Sequence, residues 1–171
     1  KAKSTPVPHA FARRSFGWRH MRRLIGDTGH TVNAVGLGAW QLSNVRRPGE
    51  QQAVEVIRAS IEAGIDFIDT ADCYCADDSE FGHNEHLVRQ GVALANNPHV
   101  KIATKVGFRR PAGAWQTDGR PERITSCCDA SLKRLETDCL FLYQLHRPDP
   151  QVPQVSLCPR RPGEHRRLLF R

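Results

Sequence analysis

The sequence contains no apolar run long enough to cross a bilayer, and its six cysteines form no CxxC pair. The first absence excludes a transmembrane helix. The second leaves a zinc ribbon or a thioredoxin-type motif without support. Residues 1–20 also lack the apolar centre and the small-residue cleavage site of a secretory signal. We therefore expect a cytoplasmic protein with reduced cysteines and no membrane partner.

A metal centre is the alternative reading of the cysteines and histidines near the middle of the chain. Four of them have the spacing C-x-C-x7-H-x2-H: Cys73, Cys75, His83 and His86. Common structural zinc sites use other spacings. We predict no metal site here.

Acidic residues are absent from the first 23 positions, which hold seven Lys/Arg. Residues 24–150 hold thirteen Lys/Arg against seventeen Asp/Glu, and residues 151–171 hold five Arg against one Glu. The formal net charge of +7 therefore comes from the two ends of the chain. Basic tails bind phosphate backbones, so a nucleic-acid binder is one hypothesis. These tails lack the repeated aromatic residues on which single-stranded bases stack, and we predict no nucleic-acid partner.

The apolar pattern of the body alternates between strands and helices. Apolar runs predict strands at 34–40, 65–71, 101–106 and 139–146, and helical spacing predicts helices at 50–63, 84–96 and 121–136. A short hairpin around the GDTG turn precedes them. Uninterrupted apolar strands are typical of parallel sheets covered on both faces, so this order predicts an α/β fold. An open doubly wound sheet and a closed eight-stranded barrel are the two alternatives.

Ionisable side chains stand at or just beyond the ends of three predicted strands. Asp69 and Tyr74 follow the second strand, Lys105 closes the third, and His146 closes the fourth. Parallel strands end at one rim, and a barrel places its chemistry there. A dinucleotide-binding doubly wound sheet needs GxGxxG after its first strand, but the third glycine is missing after Gly36-Leu37-Gly38. The strand ends therefore favour the barrel.

The four side chains suit proton transfer at a carbonyl oxygen. A free tyrosine has a pKa of about 10, and we expect the ammonium of Lys105 to lower the pKa of Tyr74. Asp69 would hold Lys105 in place, and neutral His146 would donate a hydrogen bond to the substrate oxygen. Proton donation to a carbonyl requires a hydride from a cofactor.

Five segments of the chain are similar to the aldo-keto reductases, which are NADP(H)-dependent oxidoreductases built on a (β/α)8 TIM barrel. These segments span residues 21–150 in the family's order: RRLIGDTGHTVNAVGLGAW, DFIDTADCY, GHNEHLVRQGVAL, KIATKV and SLKRLETDCLFLYQLHRPDP. The stretch RPAGAWQTDGRPE resembles an active-site loop of bacterial members, including pyridoxal-type reductases. The resemblance implies NADPH or NADP as cofactor and an aldehyde or ketone as substrate.

The resemblance also implies site residues. The family's catalytic tetrad falls on Asp69, Tyr74, Lys105 and His146, with Tyr74 as the general acid/base. Cofactor-binding positions fall on Gly38, Ala39, Trp40 and Asp69. Substrate-binding positions fall on Trp40, Tyr74, Trp115 and His146.

The extent of the resemblance defines three regions. Residues 1–20 are expected to be a disordered basic leader, residues 21–150 the N-terminal half of the barrel in about four strand–helix units, and residues 151–171 a basic tail that is disordered or not native to the domain. The family binds the adenosine phosphate and pyrophosphate with loops after later strands, so an inactive fragment is one expectation. A half-barrel has unpaired edges and an uncovered apolar inner face, which predicts self-association. A non-catalytic module that senses cofactor or assembles with a partner is the alternative function.

Overall fold

The computed structural model describes residues 21–152, and the expectations for the leader and for the tail beyond residue 152 lie outside the described residues. Within this range no helix is long and apolar enough to cross a membrane. The strands and helices of this range follow one another as β1 (Arg22–Leu24), β2 (Thr31–Asn33), β3 (Leu37–Gly38), α1 (Glu50–Glu62), β4 (Phe67–Asp69), α2 (His83–Ala95), β5 (Lys101–Val106), β6 (Phe108–Arg109), β7 (Gln116–Thr117), α3 (Pro121–Leu135) and β8 (Leu142–Leu145).

A parallel four-stranded sheet forms the centre of the fold. Its strand order is β3-β4-β5-β8, so the strands occur in space in their order along the chain. The predicted α/β fold with a parallel sheet is confirmed. The predicted hairpin around the GDTG turn is confirmed as the antiparallel pair of β1 and β2. In the described part of the sheet, β3 and β8 are the edge strands, and self-association through them stays a prediction.

The two faces of the sheet differ in polarity. Ile68, Thr104 and Tyr143 lie on the face that packs against the helices and are at most 1% exposed. The register places Gly38 beside Asp69 and Lys105 beside Gln144 on the opposite face. Residues two apart along a strand share a face, so both lysines of β5 also fall on this side.

The expectation of strands with apolar cover on both faces is therefore wrong for the described residues, as is that of an apolar inner face. Phe67 and Leu142 share the inner face with Asp69, Lys105 and Gln144, and these side chains are half-buried. The apolar runs of the sequence concealed this alternation, because charged residues occur at only a few of the inward positions.

The helices are amphipathic and pack over the buried face. Val54, Ile57 and Ile61 of α1 are buried, at the spacing that puts them on one side of a helix. Helix α2 approaches α1 at Gly91, where an added Cβ would lie 2.5 Å from Ile57 Cγ2. In α3, the carbonyl of Ile124 accepts a hydrogen bond from the buried Tyr143 hydroxyl at 3.0 Å. All three predicted helices are confirmed, with boundaries that differ by one residue.

A buried polar network ties α2 to the ends of the strands. Thr70 Oγ1 donates to Asn84 Oδ1 at 2.6 Å, and Asn84 Nδ2 donates to the carbonyl of Ala39 at 2.8 Å. Glu85 is fully buried and accepts from Thr104 Oγ1 and from Arg134 Nε, both at 2.6 Å. Buried polar groups of this kind fix one arrangement of the backbone when each has a partner. The network therefore holds the loops that follow β3 and β4.

Strand β5 has the predicted bounds, the other three predicted strands are shorter than expected, and one hairpin was not predicted. The run 34–40 contains only the two-residue strand β3, and 139–146 contains the four residues of β8. Between β5 and α3, strands β6 and β7 pair in antiparallel fashion, with Phe108 opposite Thr117 and Arg109 opposite Gln116. Two-residue strands have no measurable period, so the sequence pattern did not reveal this hairpin.

Candidate active site

Three of the predicted site residues converge at the rim of the sheet through one lysine. Lys105 Nζ donates hydrogen bonds to Asp69 Oδ2 at 2.7 Å, to the carbonyl of Thr70 at 2.8 Å and to the Tyr74 hydroxyl oxygen at 2.9 Å. An ammonium has three donors, and all of them are used. The side chain of Lys105 is therefore fixed between a carboxylate and a phenol, as the strand ends predicted.

The local fold places Tyr74 above this lysine. Asp69 is the last residue of β4, and Tyr74 lies in the turn that follows, where its N–H donates to the carbonyl of Ala71 at 3.3 Å. The Lys105 ammonium lies 4.6 Å from the centre of the Tyr74 ring as well as beside its oxygen. The tyrosine is 9% exposed. The ring of Tyr74 is therefore buried, while its hydroxyl lies at the rim of the sheet beside Lys105.

The expectation that the pKa of Tyr74 falls below its usual value is wrong. Burial raises the pKa of Tyr74 above the ordinary value, and this outweighs the hydrogen bond and the charge of Lys105, which both lower the pKa. The charge of Asp69 adds to the increase. Burial of this size was not visible in the sequence. The phenol therefore keeps its proton at neutral pH.

His146 completes the group from the position directly after β8, the strand that pairs with β5. The backbone N–H of His146 donates to the carbonyl of Val106 at 2.8 Å. The centre of the imidazole ring lies 5.6 Å from the centre of the Tyr74 ring. Burial, together with the charge of Lys105, lowers the pKa of His146 to about 4. The imidazole is therefore neutral at pH 7, as predicted. Its Nδ1 lies 3.5 Å from the thiol sulfur of the fully buried Cys73.

An aromatic wall borders the site. Trp40 lies 5.1 Å from Tyr74 and 5.4 Å from Trp115, and Phe108 lies 5.1 Å from Trp115 and 5.0 Å from His146, all between ring centres. A cavity of about 680 Å³ opens beside this wall, a size suited to small molecules. Its lining consists of Phe108, Trp115, Gln116, Thr117, His146 and Arg147. The predicted substrate residues Trp115 and His146 line the cavity, whereas Trp40 and Tyr74 are not among its lining residues.

The predicted cofactor-binding positions adjoin Asp69. The N–H of Ala39 donates to the carbonyl of Asp69 at 2.9 Å, and the Ala39 side chain is fully buried in the core. Gly38 is exposed on the inner face, and a Cβ added there would meet no atom within 4 Å. The backbone at Gly38 thus borders open space next to the tetrad. Trp40 begins a short 3-10 helix that turns its ring toward Tyr74.

Sequence reasoning missed several residues of the site. Phe108 and Arg147 line the cavity, and Arg110 packs against both tryptophans of the wall. Phe108 lies two residues after the predicted strand 101–106, and Arg147 directly follows the predicted strand 139–146, which was the available signal. Within residues 21–152 no three His, Cys, Asp or Glu side chains are grouped so that they could hold a metal ion. His83, from the rejected metal pattern, instead has its Nδ1 2.8 Å from Ser43 Oγ.

Comparison with known proteins gives one consistent result. The sequence profile of the Aldo/keto reductase family matches residues 34–162. The chain is 36% identical over 132 residues to aldo-keto reductase YhdN of Bacillus subtilis (strain 168), which covers 75% of this chain and 38% of that protein. It is 35% identical over 150 residues to 6-dehydroglucose reductase of Novosphingobium aromaticivorans, and the match covers 84% of this chain and 43% of that protein.

A solved structure agrees with these relatives. The holo form of aldo-keto reductase AKR11C1 from Bacillus halodurans superposes with a TM-score of 0.67 at 30% identity, covering 80% of this chain and 43% of that chain. The chain therefore spans less than half the length of these relatives. On the profile match, the sequence identities and the shared parallel α/β architecture, the chain belongs to the aldo/keto reductase family.

Proposed function

We propose that the protein is an NADP(H)-dependent oxidoreductase that reduces an aldehyde or ketone to an alcohol, with Tyr74 as the proton donor. The contact of Lys105 with both Asp69 and the Tyr74 hydroxyl carries this proposal. A phenol donates a proton to a developing alkoxide most readily when a cation stabilises the phenolate that remains. The distances of 2.7 Å and 2.9 Å supply that cation at the required place.

His146 is placed to donate a hydrogen bond to the same substrate oxygen that receives the proton from Tyr74. Its imidazole is neutral because its pKa lies near 4, so it donates a hydrogen bond without competing as an acid. The Tyr74 and His146 rings are nearly perpendicular, at 72°. A carbonyl oxygen between the two receives a hydrogen bond from His146 and a proton from Tyr74. Phe108 and Trp115 border His146 on the cavity side.

The cofactor would supply the hydride that makes the carbonyl carbon an alcohol carbon. Open space beside Gly38 on the inner face fits the reactive end of a nicotinamide, next to Asp69 and the ring of Trp40. Gly38, Ala39 and Trp40 would hold that end through their backbone and the indole face, with Asp69 below. Relatives named as reductases support this assignment, and the choice of NADPH over NADH rests on the family alone.

The test measures NADPH oxidation with a panel of aldehydes and ketones. Tyr74→Phe removes the proton donor and should lower kcat by about 100-fold to 10,000-fold, the usual contribution of general acid catalysis. Tyr143→Phe is the matched control, because it deletes the only other tyrosine hydroxyl, which bonds to the carbonyl of Ile124 and lies outside the tetrad. Equal turnover by Tyr74→Phe and the unsubstituted chain would contradict the assignment.

A non-catalytic cofactor-sensing or assembly role is the alternative outcome of the same experiment. Tight binding of NADPH without turnover of any carbonyl would support that role. Because the chain spans less than half of each relative, cofactor binding and turnover both have to be measured on this chain. A cytoplasmic location stays a prediction.

A further inference from the structure

Arg110 is the most deeply buried arginine of residues 21–152, and it is the first residue of the loop that joins β6 to β7 and carries Trp115. The residue is only 5% exposed. It directly follows β6, and its carbonyl accepts hydrogen bonds from the N–H groups of Asp78 and Gly113, both at 3.0 Å. Its own N–H donates to Asp78 Oδ1. The backbone of Arg110 thus joins the hairpin to the segment that follows Tyr74.

The guanidinium makes the same connection through its side chain. Nη2 donates to the carbonyls of Ala76 at 3.1 Å and Gly113 at 2.9 Å, and Nε donates to Gly113 at 3.3 Å. The guanidinium carbon lies 3.8 Å from the centre of the Trp115 ring and 5.7 Å from that of Trp40. A planar cation stacks well on an indole face, and a desolvated pair of this kind is stabilising. Arg110 therefore touches both tryptophans of the aromatic wall.

Besides Arg110, the Trp115 ring contacts three other rings, with centre-to-centre distances of 5.4 Å to Trp40, 5.1 Å to Phe108 and 6.3 Å to His146. It lies between the two-residue strand β7 and the turn at Gly113, and it is 46% exposed. Short two-stranded hairpins are marginal on their own. The ring nonetheless lies 6.3 Å from His146 and borders the cavity. The guanidinium carbon of Arg110, 3.8 Å from the ring centre, is the nearest of these partners.

We propose that Arg110 is a positioning residue that fixes Trp115 as a flat wall of the substrate cavity and thereby favours carbonyl compounds with a planar, unsaturated or aromatic substituent. The consequence for substrates rests on the proposed function. The positioning of Trp115 is independent of the proposed function, because Arg110 contacts other residues of the protein and no substrate. Arg110 touches none of the tetrad side chains in the hydrogen bonds and ring contacts of the described residues.

The neighbouring arginine supplies a matched control. Arg109 has an exposed side chain, and it precedes Arg110 in the same hairpin. Arg109→Met and Arg110→Met remove the same charge and nearly the same side-chain volume. Only the second removes the contacts with Trp115 and the carbonyl of Ala76. A difference between the two variants therefore reports the stacking and not the net charge.

The first readout is independent of turnover. The chain has three tryptophans, Trp18, Trp40 and Trp115, so 5-fluorotryptophan labelling gives three fluorine NMR signals, and Trp115→Phe assigns one of them. Arg110→Met should shift the Trp115 signal by more than its line width and broaden it, while Arg109→Met leaves it in place. If Arg110→Met does not fold, Arg110→Lys is used, and the same shift is expected because the planar contact is lost. An unmoved Trp115 signal in a folded Arg110 variant would overturn the proposal.

The second readout measures specificity. With Arg110→Met we expect KM for benzaldehyde to rise about tenfold, the scale of one lost aromatic contact. We expect a smaller rise in KM for propanal, which has no ring to lie against Trp115. Trp115→Leu should raise KM for benzaldehyde by a similar factor, and adding Arg110→Met to it should change that KM by less than twofold, because Arg110 acts through Trp115. An equal rise in KM for both aldehydes would reject the specificity role. Additive effects of the two substitutions on KM for benzaldehyde would reject it as well.

The two readouts separate this proposal from the proposed function. If the unsubstituted chain reduces no carbonyl, the proposed function fails for this chain. The fluorine signal then still decides whether Arg110 positions Trp115. If turnover is present and the signal does not move, the positioning role fails alone.

Discussion

Replacing Lys105 with methionine tests the electrostatics of the site without requiring turnover. In the native protein, the hydrogen bond and the charge of Lys105 both lower the pKa of Tyr74, while burial raises it further than they lower it. Lys105→Met keeps the length of the side chain and removes both lowering effects. We therefore expect the pKa of Tyr74 to rise further above its ordinary value.

The size of this rise follows from the contact. A hydrogen bond to a charged group contributes about 1.5–3 kcal/mol. The 2.9 Å bond from Lys105 to the Tyr74 oxygen should therefore stabilise the phenolate by about 1.5–3 kcal/mol relative to Lys105→Met. Ionisation of Tyr74 should accordingly begin at a higher pH in the variant.

The assay uses the small number of tyrosines in the chain. There are two, Tyr74 and Tyr143, so a Tyr143→Phe background leaves Tyr74 as the only phenol. Tyrosine labelled with ¹³C at Cζ then reports ionisation by NMR between pH 8 and the onset of alkaline unfolding. Lys101→Met is the control, since Lys101 shares strand β5 and the inner face but lies over the Phe141 ring.

Two results would refute the reasoning. If Lys105→Met leaves the titration of Tyr74 unchanged, or shifts it to lower pH, the lysine does not stabilise the phenolate. If Lys101→Met shifts the titration as far as Lys105→Met does, the effect comes from net charge and not from the contact at 2.9 Å.

Three further predictions follow from single contacts. Asp69→Asn should lower the pKa of Tyr74 in the same titration, because the carboxylate raises it. The His146 ring should titrate near pH 4 by NMR; because this lies below the unfolded value, stability should fall as pH drops from about 6.5 toward 4. Gly91→Ala should destabilise by about 1–3 kcal/mol in urea unfolding, since its Cβ would lie 2.5 Å from Ile57 Cγ2; a gain of about 1 kcal/mol, as helix propensity alone predicts, would contradict this.

The convergence of the tetrad was predictable because it needs only strand direction. Asp69, Lys105 and His146 follow apolar runs, and parallel strands end at a common rim. The helices were equally accessible, since their buried residues recur at helical spacing over thirteen or more residues. Periodicity over such lengths leaves few alternatives.

The features that fix the site geometry depend on contacts between distant residues. Asn84 joins Thr70 to Ala39, across 14 and 45 positions of the chain. Arg110 lies on Trp115 because a tight turn at Gly113 folds the hairpin back, and strands of two residues have no period to reveal it. The pKa of Tyr74 was predicted in the wrong direction for a related reason. The strand ends identify Lys105 as the partner of the Tyr74 hydroxyl, but they do not show how deeply Tyr74 is buried.

The most direct test of the central claim is to follow one hydrogen into the product. The chain is incubated with an aldehyde and with NADPH deuterated at the transferred position, and the alcohol is analysed by mass spectrometry. We expect an alcohol that contains one deuterium, formed by the unsubstituted chain and by Tyr143→Phe, with at least about 100-fold less from Tyr74→Phe. Labelled alcohol formed at equal rates by Tyr74→Phe and the unsubstituted chain, or no labelled alcohol from any of the three, would contradict it.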